Sequence, residues 1–140
     1  MERMTAALES AQTLAALLDA AWEAFELVIS ASGDRADTDE GFYAALVYVL
    51  AAAADGRDAI LTAPSLPARP LETRQSGPRH PGPGGSVLEV AAGLAALSNV
   101  LADRLASATG QAGDSGDRAA CLIGARYARE VHALLGGTQP

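Results

Sequence analysis

Lysine is missing from this chain, cysteine occurs once, and aromatic side chains make up only 4 % of its residues. With a single cysteine, Cys121, no disulfide can close within the chain, and a reducing, cytoplasmic setting is the expectation. Few aromatics beside 49 % apolar residues, alanine foremost, exclude a core of large rings. They point instead to helices packed closely through small side chains. A long apolar run is missing too. The longest uncharged one, GFYAALVYVLAAAA at 41–54, falls short of the roughly 20 residues a bilayer-spanning helix needs. Basic charge is scarce: against 17 acids stand ten arginines, for a net charge of −7. That balance argues against nonspecific nucleic-acid binding, which depends on basic surface to release counterions. The opening residues, with Glu2 and Glu9, do not read as a secretory signal.

At 140 residues the chain is expected to form one domain. Leu8, Ala11, Ala15, Leu18, Trp22, Phe25 and Ile29 recur at three- and four-residue steps, predicting a first helix over about 5–30 with Asp19, Glu23 and Glu26 on its wet side. Gly33 is expected to stop it. Asp37, with Glu40 three residues on, reads as the capping pair of a second helix over about 38–62. Phe42, Leu46, Val49, Ala53, Gly56 and Ile60 form its inner stripe. Six of the seven prolines fall in 63–86, which reads as an extended linker. Ser86 and Glu89 then cap a third helix over about 87–108, with Leu94, Leu97, Leu101 and Leu105 inward and Gly110 as its stop. Asp114 and Asp117 open a fourth over about 115–135, with Ala120, Ile123, Gly124, Tyr127 and Val131 inward and Gly136 and Gly137 at its end.

The stretches SASGDRADTDEGF (30–42) and SATGQAGDSGDRA (107–119) repeat one pattern: a small residue and glycine, then an acid pair. Each reads as the corner of a helical hairpin. The expected fold is therefore all-α: a four-helix bundle of two antiparallel hairpins joined by a long Pro/Gly-rich crossover. The crossover is long enough for either an up-down-up-down or a crossed topology.

No motif supplies chemistry. Di-iron bundles require inward Glu-x-x-His pairs, and the two histidines, His80 and His132, have no glutamate at that spacing. The acids of the two turns lack the oxygen spacing of a calcium loop. Cys121 and His132 are three turns apart along one helix, so Cys121 reads as a small core residue. GPGGS at 82–86 lacks the lysine and preceding strand of a phosphate loop. No metal, no cofactor and no enzymatic activity are expected.

Three surfaces remain. Arg118, Arg126 and Arg129, with Leu122 among them, share about 80° of arc on the fourth helix and form a candidate partner contact. An ordinary solvated face, or pairing with the acids of the first helix, is the simpler reading. PSLPARP at 64–70 has the PxxP spacing read by aromatic grooves, though such patterns arise freely in proline-rich linkers. The second helix carries the largest excess: Tyr43, Val47, Tyr48, Leu50 and Leu61 extend its apolar arc beyond one neighbour's reach, which suggests self-association. A rival reading is an apolar-ligand pocket lined by Trp22, Phe25, Phe42 and Tyr127. The expectation is a non-enzymatic interaction or regulatory module, partnered by itself or by another protein rather than by nucleic acid or membrane. The alternative is a small apolar-ligand-binding bundle.

Overall fold

The computed structural model describes residues 1–36, 40–67 and 86–136, with side chains throughout except at 34–36, 40–44 and 87. Every regular element among them is an α-helix: α1 (Glu2–Ser10), α2 (Leu14–Ala36), α3 (Glu40–Leu61), α4 (Val87–Gln111) and α5 (Ser115–Gly136). None of these helices is long and apolar enough to cross a membrane.

The first helix is not one element but two. The chain is extended at Ala11, and α2 restarts behind Thr13, whose hydroxyl accepts the Ala16 N–H at 3.1 Å. The free carbonyls at the end of α1 are taken by Arg104 of α4. Its Nε donates to Leu8 O at 3.0 Å and its Nη2 to Ala11 O at 2.8 Å. A cationic side chain thus supplies the donors that a helix C-terminus lacks. The apolar spacing runs unbroken across the junction because α1 and α2 both pack inward, so periodicity alone does not reveal the break.

Neither expected glycine stop ends a helix. α2 continues through Gly33 to Ala36, and α4 continues through Gly110 to Gln111, where Ala112 closes it in extended conformation. Neither glycine adopts positive φ, so neither uses the freedom that makes glycine a terminator. α5 likewise includes Gly136, while Gly137, Asp37, His80 and the linker residues 68–85 lie outside the described residues. Two of the expected starts stand. Ser86 Oγ accepts the Glu89 N–H at 3.2 Å, and Asp114 accepts the N–H groups of Gly116 at 2.7 Å and Asp117 at 3.1 Å.

The helices share one hydrophobic cluster in which Leu8, Phe25, Val49, Ile60, Leu101 and Leu135 are fully enclosed. α2 packs on α3, α3 on α5, α5 on α4 and α4 back on α2, an order compatible with a bundle; α1 lies across α2 and α4. Close approaches set the registers. Gly56 faces the Phe25 ring so tightly that a Cβ there would lie 2.5 Å from the ring's Cζ. Beside it, Arg57 of α3 pairs with Glu26 of α2 at 2.9 Å. Between α3 and α5, Ile60 sits over Gly124, where a Cβ would come within 2.9 Å of its Cδ1, and Pro64 meets Gly116. α3 and α5 therefore run antiparallel. So do α4 and α5, where His132 Nδ1 lies 2.8 Å from Ala95 O and Leu105 reaches Gly124.

Candidate interaction surface

Because α3 turns its buried side to both α2 and α5, its remaining arc meets no described helix. Val47, Tyr48 and Leu61 lie there at 41, 66 and 40 % exposure. Of the other two residues expected on this surface, Leu50 is half-buried and approaches Gly33 of α2, and the Tyr43 side chain lies outside the described ones. On α5, Leu122 is 58 % exposed with Arg126 and Arg129 beside it, as the spacing predicts. Arg118 of that strip turns back on its own chain, donating from Nη2 to Ala112 O at 3.0 Å. Ile123, expected inward, is instead 43 % exposed. It sits at the margin of the buried arc, where a residue at helical spacing falls on either side of the boundary.

The acids of the first expected helix do not meet the arginines of α5. Glu26 holds Arg57, whose guanidinium burial alone would lower; the surrounding Glu26 and Asp58 carboxylates outweigh that and keep it above its ordinary value. Trp22 and Phe25 are buried and Tyr127 is half-buried, while Phe42 lies outside the described side chains. Phe25 spends its ring on Gly56. A cavity of about 210 Å³ lies instead at the α1–α2 junction, lined by Gln12, Thr13, Leu17, Arg104 and Gln111.

Two polar features escape any reading by spacing. One is the Arg104 clamp on α1. The other is Asp117: buried in the first turn of α5, it accepts the Ser65 N–H at 2.9 Å and the Ser65 hydroxyl at 2.6 Å. It thereby fastens the segment after α3 to the start of α5, rather than closing a local capping pair. Both contacts join residues far apart in the chain, and no local signal marks either.

One turn on, Cys121 is buried. Burial first, and then the negative charge of Asp117, push its thiol above the ordinary value. Both disfavour the thiolate, the reactive form. Alkylation of Cys121 by iodoacetamide in the native protein should therefore run at least about a hundredfold slower than in denaturant. Equal rates would show an accessible thiol. Because the folded thiol loses its proton at higher pH than the unfolded one, its contribution to stability is complete below the ordinary thiol value of about 8.5. That contribution is lost as pH rises through the folded value.

Among the described residues no three His, Cys, Asp or Glu side chains gather as a metal site. No protein-family model, curated protein or solved structure matches the chain.

Proposed function

We propose that the chain is a non-enzymatic interaction module that works as a homodimer or as a subunit of a larger assembly in the cytoplasm. In this reading α2–α3 and α4–α5 are two antiparallel hairpins, and the Pro/Gly-rich stretch 63–86 is the crossover between them. The observation that carries the reading is the outward arc of α3, where Tyr48 is 66 % exposed and Val47 and Leu61 add apolar surface. Large exposed apolar side chains grouped on one helix mark contact surfaces more often than solvated ones. Two side chains support a module that binds rather than transforms: Cys121 is buried with its thiolate disfavoured, and His132, exposed on α5, lies against a backbone carbonyl of α4.

Light scattering coupled to size exclusion at tens of micromolar should return about twice the 14.2 kDa chain mass. Tyr48→Glu should return the single-chain mass with unchanged helical circular dichroism, because an exposed position tolerates the charge in the monomer but not in a contact. A wild-type monomer across that range removes the homodimer reading.

A further inference from the structure

Arg104 is a cation without a counter-ion in a chain that carries 17 acids. It is half-buried on α4, and the ion pairs among the described residues are those of Arg57 alone. A guanidinium presents its N–H groups along fixed edges, each able to hold two oxygens at once. The edge formed by Nε and Nη2 is spent on the end of α1, at Leu8 O and Ala11 O. Those carbonyls occupy donors but leave the positive charge unneutralised. The second edge, Nη1 beside the remaining Nη2 hydrogen, has no partner among the described residues.

The same side chain lines the cavity of about 210 Å³ at the α1–α2 junction, and among the described residues no acid lines it. Leu14, Leu17 and Ala108 give the cavity an apolar wall, while the exposed amides of Gln12 and Gln111 stand at its rim. A bare ion would leave that wall unused, and a hydrocarbon would leave the cation unpaired. The combination fits a molecule with one negative end and a compact apolar body. A cavity of roughly 150 Å³ admits benzene. This larger one therefore has room for a single ring carrying a carboxylate. A free guanidinium edge and a carboxylate match in a two-bond, charge-assisted pair. One guanidinium neutralises one carboxylate, whereas a phosphate dianion would leave surplus negative charge in a chain of net charge −7.

We propose that the α1–α2 junction binds a small monocarboxylic acid. The carboxylate sits on the free edge of Arg104, and the apolar body lies against Leu14, Leu17 and Ala108. The site goes beyond the self-association proposed above and does not depend on it. Its walls come from α2, α4 and the turn after α1, and none comes from the outward arc of α3.

Benzoate is the probe, titrated into the full chain and followed through backbone amide chemical shifts. Saturable shifts should appear at Thr13, Leu14 and Gln111, with a Kd of about 1 mM or tighter, while the amides around Tyr48 stay in place. Benzamide has the same shape without the charge and should bind at least about tenfold more weakly. Inorganic phosphate should be weaker by a similar factor, because it gains nothing from the apolar wall. Arg104→Gln should lower benzoate affinity at least about tenfold, with circular dichroism verifying the fold. If that variant releases α1, the comparison of benzoate with benzamide on the wild type still decides the role of the charge. Absence of shifts at about ten times the expected Kd, or shifts centred away from the junction, overturns the site. Benzamide or phosphate binding as tightly as benzoate overturns the ligand class. A wild type that is monomeric and binds benzoate keeps this site and loses the self-association.

Discussion

Phe25→Ala is expected to cost about 3–5 kcal/mol of unfolding free energy, the largest loss from any single truncation considered for this chain. The ring is fully enclosed at the α2–α3 contact, in a core rich in buried alanine. Its partner in that contact is an absence of side chain. A Cβ at Gly56 would overlap Cε1 and lie 2.5 Å from Cζ of the ring, well inside van der Waals contact. Gly56→Ala therefore combines two opposing effects. Replacing a mid-helix glycine by alanine favours the helix by about 1 kcal/mol. Forcing the ring aside in a close-packed core costs about 1–3 kcal/mol, so the overlap wins and the variant is less stable.

The pair makes the cause separable. In the Phe25→Ala background the overlap is gone, the added methyl enters space the ring vacated, and Gly56→Ala should become stabilising by about 1 kcal/mol. Chemical denaturation of the wild type, both single variants and the double variant measures this reversal of sign. If Gly56→Ala has the same effect with and without the ring, the contact does not set the α2–α3 spacing. The Arg57–Glu26 pair beside it is half-exposed and contributes little by comparison.

How much of this was legible beforehand follows from where each signal resides. All-helical structure was readable because apolar residues recur with the helical period over long stretches, and so was the outward position of Leu122. Ser86 and Asp114 were readable because a cap is a local hydrogen bond between residues two or three apart. The glycine stops were misread. A terminator must adopt positive φ, and nothing in the sequence distinguishes such a glycine from Gly33 or Gly110, which continue their helices. The break at Ala11 was hidden for the opposite reason. The end of α1 is served by Arg104, a residue far away in sequence whose guanidinium takes its last carbonyls. The α3 surplus was legible as composition, yet the inward turn of Leu50 and the outward turn of Ile123 needed the neighbours' positions.

Asp117→Ala should cost about 2–4 kcal/mol, because it removes both acceptors of Ser65 and one of them serves a backbone amide. The carboxylate is buried in the first turn of α5, where the free amides of the helix start favour a negative charge. Without it the Ser65 N–H must find water, and the segment beyond α3 loses its hold on α5. Pro64 then also loses its seat beside Gly116. Ser65→Ala tests the two bonds separately: it keeps the amide bond and deletes only the hydroxyl, so it should cost about 1–2 kcal/mol. In a double-mutant cycle the two losses should fall short of additive by about the cost of Ser65→Ala alone, since alanine at 117 leaves the hydroxyl nothing to lose. Hydrogen exchange gives the local readout. The Ser65 amide should be protected in the wild type and in Ser65→Ala, and unprotected in Asp117→Ala while the amides of α2 retain their protection. Loss of protection throughout α3 and α5 at once would mean that Asp117 holds the whole helix pair together rather than the segment that leaves it.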